Sequence, residues 1–127
     1  MQEKQLFEYA IIRVVPRVER GEFLNVGVIL YCASKNFLQI KFALNKERLI
    51  ALSPDLEFNE LEQTLHSFEQ ICKGAEEGGP IAKLPLSSRF RWLTAARSTT
   101  IQTSPVHPGL CSDIEKTFDR LYTEMVE

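Results

Sequence analysis

Acidic residues are missing from a long interval of this sequence, from Gly78 to Ser112. The interval carries four basic residues and a charge of +4, whereas the rest of the chain carries −6. The formal net charge of −2 conceals this polarity. Charge segregated along a chain forms either an internal set of ion pairs or a surface that docks an anionic group. The sequence leaves both alternatives open.

Long apolar runs are missing as well. No run reaches the roughly 18 residues that cross a bilayer. The N-terminal segment also lacks the basic-then-apolar order of a signal peptide. We therefore expect a cytoplasmic protein that does not associate with membranes. The 127 residues are typical of one domain, and we predict a single domain over residues 1–127.

Cysteine is scarce, and the motifs of common enzymes are absent. Cys32, Cys72 and Cys111 form an odd, widely spaced set, whereas a disulfide framework uses an even set. We predict three buried free thiols. His107 and Cys111 supply only two ligands, fewer than a zinc site requires, so we predict no metal and no cofactor. The P-loop, Gly-x-Ser-x-Gly and His-Glu-x-x-His motifs do not occur.

Three segments have the β-branched and aromatic composition of strands, namely 7–15, 25–32 and 37–42. Their connections are too short for parallel crossovers, so we predict an antiparallel meander. Residues 99–103 are a plausible fourth strand, and the proline-containing segment 104–109 is predicted to be irregular. Gly27, inside an apolar strand, indicates a bulge or a close backbone approach.

Helices are predicted after the third strand. Asn45 caps a short helix that ends at Leu52, and Ser88 caps another short one. Two longer amphipathic helices cover 59–73 and 112–126, and each opens with a capping box. The boxes are Asn59 with Glu62 and Ser112 with Glu115. The predicted fold class is α+β, a mainly antiparallel sheet of three to five strands packed against two main helices. We expect both helices on one face of the sheet.

Polar groups cluster in three places. The connector 17–22 presents Arg20 and Glu22, either as a solvated turn with local ion pairs or as a functional loop. Arg97 and Ser98, with nearby Arg91, could cradle an oxyanion. The simpler alternative pairs these arginines with the acidic segment 57–77. His107 in a proline-rich loop is either a hydrogen-bonded loop residue or an acid, base or ligand.

Two blocks of the sequence, 9–31 and 89–109, resemble the bacterial DUF3037 family. The family pattern has a Tyr-led strand with an internal Arg, followed by Pro and an Arg-Gly-Glu-Phe-x-Asn-x-Gly-Val turn. The second part of the pattern matches 91–99 and 102–109, with Ala96 in place of a proline. In the first block the matching positions are Tyr9, Arg13, Pro16, Arg20, Gly21, Glu22, Phe23, Asn25, Gly27 and Val28.

The resemblance implies no assigned activity, but it does imply a gene neighbourhood. Relatives in this family are often encoded beside HipA-like kinases. We therefore expect a non-catalytic interaction or regulatory module with a protein partner such as a HipA-like kinase. The alternative is an anion-binding protein for phosphate, a nucleotide or nucleic acid, with or without catalysis. The pI of about 5.8 and the single Trp give little support to nucleic acid.

The two blocks contain most of the polar groups described above. If the blocks meet in space, they form an Arg- and His-lined pocket at one end of the sheet. The alternative is that these residues serve the fold as salt bridges and turn formers. The candidate binding residues are Arg13, Arg20, Glu22, Asn25, Arg91, Arg97, Ser98, Gln102 and His107.

Overall fold

The computed structural model describes residues 3–127, which contain an antiparallel sheet of five strands. The order β3-β2-β1 confirms the predicted meander. The other edge of β1 is shared by β4, along its C-terminal part, and β5, along its N-terminal part. The strands are β1 (Gln5–Val14), β2 (Leu24–Cys32), β3 (Phe37–Phe42), β4 (Ile101–Thr103) and β5 (His107–Cys111).

Four α-helices accompany the sheet within residues 3–127. None of the helices in this part of the chain combines the length and apolar character that a membrane crossing requires. Together with the sheet they confirm the α+β class. The helices are α1 (Lys46–Leu52), α2 (Phe58–Lys73), α3 (Leu86–Leu93) and α4 (Ile114–Met125).

The caps of these helices match the predictions only in part. Asn45 caps α1 by accepting from the Arg48 backbone N–H at 3.1 Å, as predicted. Asn59 and Ser112 are not caps, because the N-cap positions are Glu57 in α2 and Asp113 in α4. The Asp113 carboxylate accepts from the Lys116 backbone N–H at 3.1 Å, which satisfies one free donor of the first turn.

The start of α3 was also predicted wrongly. Ser88 lies inside this helix, and Pro85 occupies the N-cap position. Proline is well suited to a helix start because it has no backbone N–H to satisfy. The helix therefore begins at Leu86, two residues before the predicted cap.

The sheet is covered on both faces, so the prediction that both long helices lie on one face is wrong. Leu65 of α2 and Phe90 of α3 pack with Ile12 in one core cluster. Phe118 of α4 packs with Ile11 in a second cluster. Neighbouring residues of a strand point to opposite faces, so Ile11 and Ile12 each need a helix to bury them. The nearly continuous apolar composition of the two central strands reflects this double cover.

β5 is the strand that the sequence did not predict. It contains Pro108, which is tolerated because β5 lies at an edge of the sheet. Gly109 lies opposite Phe7, and a Cβ atom at Gly109 would clash with the phenyl ring. The absence of a side chain at Gly109 therefore makes room for a buried aromatic residue.

Ser104 bridges the gap between β4 and β5. Its backbone N–H donates to the Ile11 carbonyl oxygen at 2.8 Å, and its hydroxyl accepts from the Ile11 N–H at 2.8 Å. The side chain thus replaces the main-chain acceptor that a continuous strand would provide. The edge beside β1 is consequently divided into pieces of three and five residues.

The predicted irregularity at Gly27 is confirmed. The register between β1 and β2 shifts between Ile12 and Arg13, so that Ile12 pairs with Gly27 and Arg13 pairs with Asn25. A Cβ atom at Gly27 would lie 2.7 Å from the Lys41 carbonyl oxygen, which requires a close backbone approach. The bulge brings Asn25 opposite Arg13.

Candidate functional site

A row of polar side chains crosses three strands near the end of β1. Arg13 is the register partner of Asn25 on β2 and of Gln102 on β4. Directly opposite residues share one face of a sheet. This face is the one that α4 covers, because Asn25 Nδ2 donates to the Met125 carbonyl oxygen at 3.1 Å. The structure therefore brings together three of the candidate residues, which we call the polar row (Asn25, Arg13 and Gln102).

Arg13 is held in this row without a partner for its charge. Its guanidinium carbon lies 4.1 Å from the centre of the Phe23 ring. Within residues 3–127 it forms no ion pair. The buried side-chain atoms without a hydrogen-bond partner in this part of the chain are Arg13 Nε and Asn25 Oδ1. Both unpaired atoms thus belong to one cross-strand pair.

A cleft of about 780 Å³ lies at the same end of the sheet. The connector 16–22 and the segment 99–101 both line it, so parts of the two sequence blocks do meet. Arg20 and Glu22 lie at its wall and pair with each other at 2.7 Å. The carboxylates of the cleft outnumber its arginines, which makes its balance of charge negative. The charged lining residues are Arg17, Arg20, Glu22, Asp55, Glu57 and Glu60.

Arg97 donates hydrogen bonds to carbonyl oxygens at the C-terminal end of α3. Its Nη2 donates to the Trp92 carbonyl oxygen at 2.6 Å and its Nη1 to the Leu93 carbonyl oxygen at 3.2 Å. The guanidinium also stacks near the rings of Phe68 and Trp92. Burial lowers the pKa of Arg97 from its ordinary value. The predicted oxyanion cradle of Arg97 and exposed Ser98 therefore lacks its principal donor.

The predicted ion pairs with the acidic segment do not form. Among residues 3–127, no basic side chain of the acid-free interval lies within 4.0 Å of a carboxylate. Arg89 donates instead to the carbonyl oxygens of Ile71, Cys72 and Leu84. Helix C-termini leave carbonyl groups unpaired, so Arg89 and Arg97 stabilise helix ends.

The remaining candidates are dispersed. His107 on β5 packs against Tyr9, with 5.4 Å between the ring centres. Arg91 on α3 lines a small cavity of about 190 Å³ together with Glu8 and Val106. The structure therefore does not place Arg13, Arg91, Arg97 and His107 in one Arg- and His-lined pocket.

Sequence reasoning missed an exposed apolar surface. Leu6 and Leu110 are register partners on β1 and β5 and are 62% and 63% exposed. They are the most exposed large apolar side chains of residues 3–127. Leu6 and Glu8 share a face because they are two residues apart, and Glu8 borders the small cavity beside Val106. We call Leu6, Leu110 and Val106 the β1–β5 strip.

The strip had no clear indication in the sequence. Leu6 precedes the predicted start of the first strand, and Leu110 follows a segment predicted to be irregular. Only the pairing of β5 with β1 brings the two residues together. The alternation of Leu6, Phe7 and Glu8 is the one local pattern that could have indicated an outward-facing leucine.

The three thiols are free and buried, as predicted. Burial raises the pKa of Cys72 from 9.0 to about 12, and the nearby positive charge of Arg89 only partly opposes this effect. A thiol that stays protonated is a poor nucleophile. Residues 3–127 contain no group of three or more His, Cys, Asp or Glu side chains placed to hold a metal ion.

Comparison with known proteins gives one match. A family model described as "Protein of unknown function (DUF3037)" matches residues 9–126, which is nearly the whole chain. No curated protein and no solved structure matches the chain.

Proposed function

The chain belongs to the DUF3037 family, and we propose that it is a non-catalytic docking module that binds a protein partner through the β1–β5 strip. The observation that carries this proposal is the cross-strand pair of Leu6 and Leu110, each more than 60% exposed. Single exposed apolar residues are common on protein surfaces. Contiguous ones more often mark a surface that another molecule covers.

The position of the strip supports a docking role. α2 and α3 bury the rest of this face, including Ile12 and Val14 of the same strand. Neither helix covers Leu6, which is exposed. The cavity lined by Phe90, Arg91 and Val106 continues the surface under α3. An apolar side chain of a partner could enter this cavity while its neighbours contact the two leucines.

The partner that we propose is a HipA-like kinase, which the gene context implied by the resemblance favours. Binding would regulate the kinase or position it, without chemistry by this chain. We place the interaction in the bacterial cytoplasm, because three free thiols suit a reducing compartment.

Co-expression with a HipA-like kinase encoded beside the gene, followed by size-exclusion chromatography, tests the proposal. We expect one complex at micromolar concentration, and we expect Leu6→Ser/Leu110→Ser to separate its components. Ile50→Ser is the matched control, because Ile50 is 52% exposed on α1 and outside the strip. Separation of the unaltered proteins, or equal loss with Ile50→Ser, would overturn the proposal.

The contacts give less support to the alternative, an anion-binding protein that uses a shared Arg and His pocket. Both terminal nitrogens of Arg97 donate to main-chain carbonyl oxygens. The cleft at the end of the sheet carries more carboxylates than arginines, and a negative cleft repels phosphate. Arg91 lies apart from Arg13, beside the small cavity under α3, and the surroundings of Arg13 indicate a different ligand.

A further inference from the structure

We propose that the polar row is a second binding site, independent of the β1–β5 strip, and that Arg13 holds a carboxylate group there. The ligand is either a small carboxylic acid or an acidic side chain of a bound polypeptide. These share one chemistry, and the experiment below distinguishes them.

Arg13 has donors available for such a group. A guanidinium carries five N–H donors, and the Nε donor of Arg13 has no partner within residues 3–127. Nε is buried, whereas the side chain as a whole is only partly buried. Arg13 forms no ion pair within residues 3–127, and Nη1 and Nη2 are the donors that we assign to the ligand.

The guanidinium of Arg13 lies over the ring of Phe23. The guanidinium lies 4.1 Å from the centre of the ring, and the ring itself is 45% exposed. A guanidinium held in one plane presents two parallel N–H groups, which match the two oxygens of a carboxylate. We therefore propose that the pair of Arg13 and Phe23 presents the guanidinium to a ligand rather than serving only as an internal contact.

The surroundings favour a singly charged ligand. Asn25 of the polar row contacts the Met125 carbonyl oxygen at the C-terminal end of α4. A helix C-terminus carries a partial negative charge, which disfavours a phosphate dianion more than a carboxylate. No carboxylate of residues 3–127 lies within ion-pair distance of Arg13, so an external group would not have to displace one.

The unpaired atoms of the row distinguish it from an ordinary exposed arginine. Buried polar atoms in native proteins almost always have hydrogen-bond partners, and exceptions need an explanation. Within residues 3–127 the exceptions are confined to Arg13 Nε and Asn25 Oδ1, which belong to adjacent register partners. A carboxylate only accepts hydrogen bonds, so it can satisfy donors of Arg13 but not the Asn25 Oδ1 acceptor.

The test is a titration of the ¹⁵N-labelled full chain, followed through the arginine Nε–Hε signals in NMR spectra. The probes are acetate, a neutral peptide with a single Glu, and inorganic phosphate. We expect the Arg13 signal to shift saturably with both carboxylates. The signal of Arg120, which lies on α4 and pairs with Glu124, serves as the internal control.

Two variants sharpen the test. Arg13→Lys keeps the charge but loses the two-pronged donor and the Nε–Hε signal, so its binding is followed through the side-chain amide signals of Asn25 and Gln102. We expect carboxylate binding to weaken at least tenfold in this variant. Arg120→Lys should leave binding unchanged. Tighter binding of the peptide than of acetate would assign the site to a polypeptide, whereas equal affinities would assign it to small acids.

Three results would overturn the proposal. These are an Arg13 signal that moves no more than that of Arg120, unchanged affinity in Arg13→Lys, and binding of phosphate as tight as that of acetate. If Arg13→Lys does not fold, the titration of the unaltered chain still decides. Leu6→Ser/Leu110→Ser should not affect this titration, because Leu6 faces away from α4, so the two proposals can fail separately.

Discussion

Arg89 on α3 reaches the C-terminal end of α2, where its Nη1 donates to the Cys72 carbonyl oxygen at 3.1 Å. The same nitrogen donates to the Ile71 carbonyl oxygen at 3.0 Å, and Nε donates to that of Leu84 at 2.9 Å. α2 ends there at Gly74, which adopts the left-handed conformation. One side chain thus joins α2, the end of the 3₁₀ helix Glu76–Lys83 and α3.

Replacing Arg89 with Met should destabilise the fold. The variant leaves three carbonyl groups without a charged donor, and hydrogen bonds to charged groups contribute about 1.5–3 kcal/mol each. Because water can replace part of this loss, we expect a decrease of about 2 kcal/mol in the free energy of unfolding. Urea denaturation measures it. Arg91→Met on the same helix, where the side chain is exposed, should change stability by less than about 0.5 kcal/mol.

Cys72 should make the fold less stable at high pH. Its folded-state pKa of about 12 lies above the ordinary value of 9.0. The unfolded chain therefore loses the thiol proton first as pH rises from 9 to 12, and the free energy of unfolding falls across this window. The two pKa values differ by about three, which corresponds to a loss on the order of 4 kcal/mol.

Denaturation curves between pH 8 and pH 11 check this expectation. Cys72→Ala should be less stable at pH 8 but should show a shallower decline with pH. Cys111→Ala, which keeps the Cys72 thiol, should retain the slope of the unaltered protein. If the free energy of unfolding declined equally with pH in all three proteins, the decline could not be assigned to Cys72.

Gly109 and Phe7 should be energetically coupled. Gly109→Ala places a methyl group against the Phe7 ring, and overpacking of this kind costs about 1–3 kcal/mol. In a Phe7→Leu background the ring is gone, so the same substitution should cost less. A double-mutant cycle by urea denaturation should give a coupling of about 0.5–3 kcal/mol. Additive effects would show that the ring moves aside freely.

The helix layers on the two faces of the sheet should contribute independently to the stability of the fold. Leu65 of α2 and Leu121 of α4 are 0% and 4% exposed on opposite faces of the sheet. Each change to Ala should cost about 2–5 kcal/mol. Since the leucines belong to separate core clusters, their costs should add to within about 0.5 kcal/mol. Strong non-additivity in thermal or urea unfolding would contradict the two-layer arrangement.

Much of the fold follows from local patterns. The β-branched segments, the short connections and Gly74 predicted β1 to β3, their antiparallel order and the end of α2. The placement of α4 did not follow, because an amphipathic pattern shows that a helix has one apolar face but not which side of a sheet receives it. β5 was missed because Pro108 and Gly109 have low strand propensity, and only its pairing with β1 stabilises it.

The site was harder to predict than the fold. Residue type identified Arg13, Asn25 and Gln102 as candidates, but no sequence pattern separated them from Arg97 and His107. The grouping depends on strand register and on the bulge beside Gly27, which are long-range properties. The roles of Arg89 and Arg97 at helix ends depend on carbonyl groups, which every sequence position carries and no motif reveals.

The divided edge at β4 and β5 bears on how this protein behaves at high concentration. An uninterrupted edge strand is a template on which a second chain can add its own strand, the first step of many aggregates. Here Ser104 turns its hydroxyl inward to Ile11, and Pro108 removes a backbone donor from β5. Short pieces broken by prolines are poor templates for fibre growth. The molecule can therefore expose two leucines on the face of its sheet while this edge resists self-association.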